Sequence, residues 1–429
     1  MVDFSPSVQL NLNLRGLPNS ATVSINERSN ALIKSGRQVF KLGLGQSPFP
    51  VPEYVVARLR EHAHEKDYLP VRGLPALREV VANYHAQRES ISRTGEDVLI
   101  GPGSKELMFL IQLAFYGDLV IPTPAWVSYA PQAQIIGRRV RLMTTRESDG
   151  WRLRPDALEE VCREDADRPR LVILNYPANP TGGSFADGEL QELAEVARRY
   201  KVVMLSDEIY GELHHRGEHV SIARYYPEGT IISSGLSKWC GAGGWRLGTF
   251  LFPPNMHWLL GAMASAASET FTSTSAPIQY AAVAAFEGAP EIEAYLDQSR
   301  RILRALGGWI AARFRAADVR CETPDGAFYL FPNFESHADR LAERGIHDSP
   351  TMCERLLEDT GVAVLPGSDF GRSTKEFTLR LAYVDFDGTK ALAAAGAVDH
   401  QGELDEGFVR QYCPRVCDAI DGVIEWLEG

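Results

Sequence analysis

The sequence predicts an α/β fold in which a mostly parallel central sheet is flanked by helices and joined to a smaller α+β domain. Three observations lead to this prediction. Between about residues 50 and 310, short apolar runs alternate with longer amphipathic stretches. Several of the short runs are apolar on both faces, as expected for strands of a parallel sheet that is covered on each side by helices. After about residue 310 the regular alternation ends, which indicates a second unit that is built differently.

The first part of the chain contains strand-like runs that are rich in Val, Ile and Leu and bounded by turn residues. They lie at residues 97–102, 118–122, 139–143, 170–177, 201–210, 230–235 and 248–252. Amphipathic segments typical of helices lie at residues 74–89, 104–116, 187–200 and 276–287. Strand, helix and strand in this order form right-handed crossover units. Because ligands of such sheets bind outside the carboxyl ends of the strands, we expect the site there.

The C-terminal part of the chain predicts a mixture of helices and strands. The helices are expected at about 290–317, 350–360 and 414–427, and the strands at 326–332, 362–366 and 377–383. The acidic segment 385–406 is poorly periodic and predicts an exposed excursion. We expect a large domain at 51–309, whereas 1–50 would form an N-terminal arm and part of a small domain that 310–429 completes.

Composition excludes several classes of protein. The chain has 429 residues, of which 45% are hydrophobic and 23% charged, values typical of a globular protein. Its net charge of −12 argues against non-specific binding to nucleic acid. No run approaches the roughly 18 apolar residues that span a bilayer, and we expect no membrane association and no secretory signal. The six cysteines are scattered without a C-x-x-C pair, which is typical of reduced thiols in a cytoplasmic protein.

Lys238 is the first candidate for chemistry, because it lies three residues after the strand-like run at 230–235 and precedes a glycine-rich turn. A lysine at the end of a buried strand is partly withdrawn from water, which lowers its pKa and makes it a better amine nucleophile. The alternative is a solvated lysine in a surface turn.

Four other pieces stand at predicted strand ends, and each has an ordinary explanation when taken alone. They are Asn179 in an NPTG turn, Asp207 and Tyr210 in DEIY, Arg246 after the glycine turn, and the Gly103–Ser104–Lys105 helix start. The turn residues, a helix N-cap, a surface ion pair and an ordinary helix start account for them equally well. The GAGG turn lacks the third glycine of a dinucleotide-binding loop, and no strand leads directly into it.

Together these pieces resemble the class I/II aminotransferases, the aspartate-aminotransferase-like branch of the fold-type I pyridoxal phosphate (PLP) enzymes. The stretches that carry the resemblance are LGLGQSPF, NYPANPTGG, SDEIYGEL, SGLSKWCGAGGWRLG and LRLAY. They follow in order from about Leu42 to Tyr383, most of the chain. The resemblance implies a large PLP-binding domain with a mostly parallel central sheet, a smaller α+β domain, and PLP as the cofactor.

The resemblance also implies a role for each residue around the cofactor ring. Lys238 matches the lysine that holds PLP as a Schiff base and shuttles the proton. Asp207 matches the carboxylate that keeps the ring nitrogen protonated, and Tyr210 and Asn179 match the donors to the phenolate oxygen. Trp126 matches the aromatic side chain stacked on the ring, although packing in the core is its alternative role.

For the cofactor phosphate, the resemblance implies Gly103, Ser104, Lys105, Ser237 and Arg246. Many relatives also carry serine three residues before the lysine, where this chain has a glycine, so the hydroxyl ligands stay open.

Substrate and subunit contacts follow from the same resemblance. Arg380 matches the arginine that binds the substrate α-carboxylate, together with Gly45 and Asn179. Lys105 has a second possible role near a distal substrate carboxylate. Tyr68 matches a tyrosine that reaches the cofactor phosphate of a neighbouring subunit, which implies a homodimer with shared active sites.

The resemblance therefore predicts an aminotransferase that works by ping-pong exchange between an amino acid and a 2-oxo acid, with glutamate and 2-oxoglutarate as one couple. Elimination, cyclisation or decarboxylation on the same scaffold are alternatives, because fold does not settle chemistry. A non-catalytic regulator is a further alternative, although no DNA-binding module is recognisable. The histidine-rich run at 214–219 lies in a polar stretch, and we expect no metal site there. The sequence leaves the physiological amino acid open.

Overall fold

A computed structural model describes residues 10–17, 19–399 and 402–429 of the chain. Fifteen α-helices lie in these residues: α1 (Ala21–Lys34), α2 (Glu53–Glu61), α3 (Pro75–Glu89), α4 (Ser104–Ala114), α5 (Tyr129–Ile135), α6 (Pro155–Arg163), α7 (Asp187–Arg199), α8 (His257–Thr270), α9 (Ala276–Glu287), α10 (Pro290–Ala316), α11 (Ala338–Glu343), α12 (Ser349–Thr360), α13 (Gly388–Gly396), α14 (Glu406–Tyr412) and α15 (Pro414–Glu428).

The strands form one large sheet and two small ones. They are β1 (Phe40–Lys41), β2 (Val98–Gly101), β3 (Asp118–Thr123), β4 (Val140–Thr144), β5 (Arg170–Asn175), β6 (Val203–Asp207), β7 (Thr230–Gly235), β8 (Gly248–Leu251), β9 (Tyr329–Leu330), β10 (Val362–Ala363), β11 (Leu365–Pro366) and β12 (Leu379–Ala382). The large sheet has seven strands in the order β2-β8-β7-β6-β5-β3-β4. Strands β3 to β7 run parallel, whereas β8 is antiparallel to both of its neighbours. The predicted α/β class with a mostly parallel sheet is therefore confirmed.

Helices cover both faces of the large sheet, which explains why its strands are apolar throughout. In β5, Leu171 points into a core that includes Leu107 of α4, on one face. The next residue, Val172, points into a second core that includes Leu193 of α7, on the other face. Successive strand residues face opposite sides, so burial of both faces requires a continuous apolar run.

The N-terminal and C-terminal parts of the chain meet in the small sheets. Strand β1 pairs in parallel with β10, and β11, β12 and β9 form an antiparallel sheet. The 27-residue helix α10 connects the large sheet to this region, and α13, α14 and α15 contact it. These contacts bring β12, and with it Arg380, next to the large sheet.

The predicted exposed excursion at 385–406 is wrong for its first half. Residues Gly388–Gly396 form helix α13, in which Ala391, Leu392 and Ala395 are buried. The Asp387 side chain accepts a hydrogen bond from the Lys390 backbone N–H and so caps the helix. The run ALAAA has a strong helix propensity, and its small side chains allow close packing on α10 without a conspicuous apolar period.

The carboxyl ends of the central strands converge at one edge of the sheet. Asn175 at the end of β5 is in register with Asp207 at the end of β6, and Asp207 is in register with Ser233 of β7. The parallel register thus places the residues that follow these three strands side by side, which is where the sequence predicts the site.

No helix within the described ranges of the chain is both long enough and apolar enough to cross a bilayer.

Candidate active site

A cavity of about 450 Å³ lies between the carboxyl edge of the large sheet and the small sheet formed by β9, β11 and β12. Eleven of the predicted site residues line it: Gly45, Ser104, Lys105, Trp126, Asn179, Asp207, Tyr210, Ser237, Lys238, Arg246 and Arg380. A larger cleft, of about 600 Å³, lies near the amino ends of β3 and β5 and is lined by none of the predicted residues. The chemistry is therefore concentrated in the smaller cavity.

Lys238 lies in the loop after β7, and its amine points into the cavity. Its Nζ donates a hydrogen bond to the Gly45 carbonyl oxygen at 2.7 Å. Burial lowers the Lys238 pKa to about 8, and the positive charges of Arg380 and Arg246 act in the same direction. About a tenth of this amine is consequently unprotonated at pH 7 and able to act as a nucleophile.

Asp207 is the last residue of β6, and only 4% of its surface is exposed. Burial raises the pKa of its carboxyl to about 6, and hydrogen bonds from the Tyr129 hydroxyl, the Ile209 backbone and Ser233 oppose that rise. The Tyr129 hydroxyl donates to Asp207 Oδ2 at 2.5 Å. A buried carboxylate held in this way can stabilise a positive charge placed opposite it in the cavity.

Arg380 of β12 is almost completely buried, with 1% of its surface exposed. Its Nη1 donates to Asn179 Oδ1 at 3.2 Å and its Nη2 donates to the Gly43 carbonyl oxygen. Within the described part of the chain, its Nε has no hydrogen-bond partner. A buried guanidinium with an unused donor is suited to a carboxylate ligand, which it binds through two parallel hydrogen bonds.

The amino end of α4 forms an anion-binding corner with Arg246. Gly103 caps the helix with φ of 92°, and a Cβ there would lie 2.1 Å from Arg246 Nη2. A Cβ on Gly248 would lie 2.1 Å from the Ser104 backbone nitrogen. Only glycine permits both approaches, which bring a guanidinium to the free N–H groups of the helix. Burial and the charge of Arg246 lower the pKa of nearby Lys105.

Trp126 lines the same cavity and lies against two other site residues. Its ring meets Tyr129 edge to face, with centroids 5.2 Å apart, and the Lys105 ammonium lies 5.3 Å from its ring centroid. The side chain is partly buried, so one part of it remains available to a ligand.

Tyr68 and Gly235 differ from the other predicted or discussed positions. Tyr68 does not line the cavity, and 89% of its surface is exposed, so its contact with a neighbouring subunit stays a prediction. Gly235, which stands where many relatives have serine, would place a Cβ 2.6 Å from the Leu247 carbonyl oxygen. The close approach of β8 therefore explains the glycine.

Nine residues that line the cavity were given no role from the sequence: Thr22, Leu44, Gln46, Tyr129, Asn175, Ile209, Gly243, Gly244 and Tyr329. Tyr129 stands three residues after Trp126 in PAWVSY, and this spacing was the available signal. Tyr329 lies in a run of apolar residues, GAFYLF, that reads as a buried strand. Thr22 carried no signal beyond its position on a helix, whereas the remaining six lie within motifs that carry the resemblance and were given no individual role.

The donor set fits a phosphorylated pyridine aldehyde. The corner of α4 and Arg246 can take the phosphate, Asp207 can face a protonated ring nitrogen, and the Lys238 amine can bond to the aldehyde. Arg380 is left for a carboxylate of the substrate, because this residue lines the same cavity.

Comparison with known proteins gives a consistent assignment. The sequence profile described as "Aminotransferase class I and II" matches residues 37–395. The aspartate aminotransferase of Geobacillus stearothermophilus is 32% identical over 375 residues, which cover 85% of this chain and 91% of that protein. The aspartate/prephenate aminotransferase of Thermus thermophilus is 31% identical over 366 residues, covering 84% of this chain and 91% of that protein.

Solved structures are similar over nearly the whole chain. The Thermus thermophilus aspartate aminotransferase with maleate has a TM-score of 0.81 and 28% sequence identity, covering 91% of this chain and 98% of that chain. The aspartate aminotransferase of Rhizobium meliloti has a TM-score of 0.81 and 26% identity, covering 97% of this chain and 99% of that chain.

Proposed function

The chain belongs to the class I and II aminotransferases, a family of transferases that use PLP, and we propose that it exchanges an amino group between an L-amino acid and a 2-oxo acid by a ping-pong mechanism. Glutamate and 2-oxoglutarate form one couple in this proposal. The observation that carries it is the single cavity shared by the Lys238 amine, with its lowered pKa, and the buried Arg380 guanidinium. A transaminase needs both, since one residue moves the substrate proton and the other holds the substrate carboxylate.

Five features of the cavity would hold PLP. Lys238 would bind it covalently, Asp207 would keep its ring nitrogen protonated, and Trp126 would lie against the ring. Tyr210 and Asn179 would donate to its phenolate oxygen. The phosphate would lie at Gly103, Ser104, Lys105, Ser237 and Arg246. When bound, PLP withdraws electrons from the substrate Cα and so acidifies its C–H bond.

Once released from PLP, Lys238 Nζ would take the proton from the substrate Cα and deliver it to the former aldehyde carbon of the cofactor. The amine can do both because its pKa, lowered by burial to about 8, lies close to neutral pH. Arg380 fixes the α-carboxylate, so the Cα–H bond is held toward this amine rather than away from it. In the protein without PLP, the Gly45 carbonyl oxygen accepts a hydrogen bond from Lys238 Nζ, which keeps the amine within the cavity.

The proposed acidic substrate is supported by two features. Relatives of this chain carry the name aspartate aminotransferase, and Lys105 is a partly buried cation in the same cavity. Lys105 is the candidate partner of a second substrate carboxylate, and the cofactor phosphate is its alternative partner.

The wider organisation belongs to the same proposal. Residues 51–309 form the large PLP-binding domain, 1–50 the N-terminal arm and part of the small domain, and 310–429 the rest of the small domain. Two copies form a dimer, in which Tyr68 of one subunit completes the phosphate site of the other.

The proposed function is tested by the half-reactions of the PLP-loaded protein. Addition of glutamate or aspartate is expected to replace the visible cofactor band with a pyridoxamine band. About one molecule of oxo acid should be produced for each cofactor converted. Addition of 2-oxoglutarate is expected to restore the first band. Release of ammonia, a volatile amine or CO₂ with no oxo acid would contradict transamination and favour the elimination or decarboxylation alternative.

A further inference from the structure

Tyr329 of β9 belongs to no motif, yet its hydroxyl lies in the centre of the candidate active site. It is 2.7 Å from the hydroxyl of Tyr210. The two rings meet edge to face at 5.5 Å, and both residues are buried, with 1% and 2% of their surfaces exposed. Such a buried pair of phenols is geometrically fixed, since neither hydroxyl has bulk water to turn toward.

The loop at Gly45 is shaped around the Tyr329 hydroxyl. A Cβ on Gly45 would lie 1.9 Å from that oxygen, so only glycine leaves room for it. The carbonyl oxygen of the same residue accepts the hydrogen bond from Lys238 Nζ. The Tyr329 hydroxyl is thus packed between Tyr210 and the backbone that holds the lysine amine.

The ring of Tyr329 supports the arginine of the site. The Arg380 guanidinium carbon lies 4.9 Å from the Tyr329 ring centroid and 5.0 Å from that of Phe370. Stacking on aromatic rings stabilises a buried guanidinium and fixes its plane. One side chain therefore touches both the arginine and the tyrosine that we assign to substrate and cofactor.

The chemistry of the pair determines which hydroxyl donates. A phenol has one proton, so Tyr210 cannot donate to Tyr329 and to a ligand at the same time. Burial raises the pKa of both phenols, and the adjacent Arg380 charge offsets part of the rise at Tyr329. The 2.7 Å contact allows either hydroxyl to donate, and the more acidic phenol is the better donor, which favours Tyr329 as the donor and Tyr210 as the acceptor. The other charged groups that face the pair are Lys238, whose Nζ is 5.6 Å from the Tyr210 ring centroid, and Asp207.

We propose that Tyr329 is a positioning residue for the exchange reaction: its hydroxyl donates to the Tyr210 oxygen, which directs the Tyr210 proton toward the phenolate oxygen of the cofactor and makes Tyr210 a stronger donor than it would be alone. Tyr329 acts through Tyr210 and contacts neither the phenolate oxygen nor the transferred proton. The proposal rests on the proposed function, because it assigns Tyr210 to the cofactor.

The test is a pH titration of the visible band of the PLP-loaded protein. A donor to the phenolate oxygen stabilises its unprotonated form, so weakening Tyr210 raises the titration midpoint. Tyr329→Phe is expected to raise it by about 0.5–1 pH unit, a change of about 0.7–1.4 kcal/mol. Tyr383→Phe is the matched control, because this phenol is equally buried but its hydroxyl donates to the Ala327 carbonyl oxygen at 3.4 Å instead of to Tyr210. The titration midpoint of this variant is expected to equal that of the wild type.

A double-variant cycle separates action through Tyr210 from a general structural effect. In a Tyr210→Phe background, Tyr329→Phe is expected to cause no further change in the midpoint. Two results would overturn the inference. In the first, Tyr329→Phe shifts the midpoint equally in both backgrounds. In the second, Tyr210→Phe shifts the midpoint but Tyr329→Phe does not shift it in the wild-type background. If the wild-type protein forms no visible band with PLP, the proposed function fails, and with it the premise of this test.

Discussion

Asp207 is held in a position that is useful for catalysis and unfavourable for the stability of the empty protein. Its pKa is raised from 3.8 to about 6 by burial, so the folded chain binds this proton more tightly than the unfolded chain does. The unfolded state loses the proton first as the pH rises, and the folded state becomes relatively less stable between about pH 4 and pH 6. Above the folded-state pKa, this loss of stability is complete.

We therefore predict that Asp207→Asn stabilises the protein without PLP at pH 7, by about 1–3 kcal/mol. The amide keeps a hydrogen-bond acceptor for Tyr129 and removes the buried charge. The measurement is urea unfolding of both proteins at pH 4.5 and pH 7. The difference in the free energy of unfolding between the two proteins is expected to grow with pH, and a difference that shrinks would contradict the assigned direction.

The same variant is expected to lose at least about a hundredfold in kcat, because an uncharged partner does not hold the ring proton.

At the scale of elements, the α4 corner depends on Gly103 and Gly248, whose missing Cβ atoms leave room for Arg246 and for the amino end of the helix. Gly103 has a positive φ, and its missing Cβ makes the space into which Arg246 reaches. We predict that Gly103→Ala weakens PLP binding at least about tenfold, equal to about 1.4 kcal/mol, because the guanidinium is displaced from the helix N-terminus.

The binding constant measured by absorbance or fluorescence titration checks this prediction. Gly188→Ala is the matched control, since Gly188 lies in α7, has an ordinary φ and has no atom within 4 Å of an added Cβ. That variant is expected to bind PLP as the wild type does and to be slightly more stable. Equal affinities of all three proteins would show that the corner does not hold the phosphate.

The elements that could be predicted from the sequence are those with a strong pattern. The buried strands of the large sheet have continuous apolar runs, and the predicted helices at 187–200 and 276–287 match α7 and α9 within one residue. Helix α13 was missed because alanine gives a weak contrast between its buried and exposed faces. The predicted helix 104–116 is two residues too long, since the chain already turns to an extended conformation at Phe115.

The candidate site was predictable where residues follow strand ends in recognisable motifs. Eleven of its members line one cavity. Those that follow strands of the large sheet converge at its carboxyl edge, whereas Gly45 and Arg380 come from outside that sheet. Tyr129 and Tyr329 were not predictable in this way, because each acts through a neighbour that only tertiary packing brings close: Asp207 for the first and Tyr210 for the second.

At the scale of the whole molecule, the proposed dimer requires that Tyr68, which is exposed in the single chain, completes the site of another copy. We predict that Tyr68→Ala and Lys238→Ala are each inactive alone and that a mixture of them recovers activity. Half of randomly formed dimers contain one subunit of each kind, and each such dimer has one intact site. Recovery to about a quarter of wild-type activity is therefore expected in a twofold dimer.

The measurement is the transamination rate after the two variants have exchanged subunits, with exchange verified by a mass difference between them. Tyr116→Ala serves as the control, since this tyrosine is comparably exposed, with 87% of its surface accessible, and lies away from the cavity. It is expected to remain active alone. Full exchange without recovered activity would mean that the sites are not shared.

The central claim, that Lys238 is the amine that binds the cofactor, is tested most directly by borohydride reduction of the PLP-loaded protein followed by peptide mapping. Lys238 is the lysine whose pKa burial lowers to about 8, and its amine lies in the cavity. We predict a single stable phosphopyridoxyl label on Lys238, with none in Lys238→Ala treated in the same way. A label on Lys105 or another lysine, with Lys238 unmodified, would contradict the account.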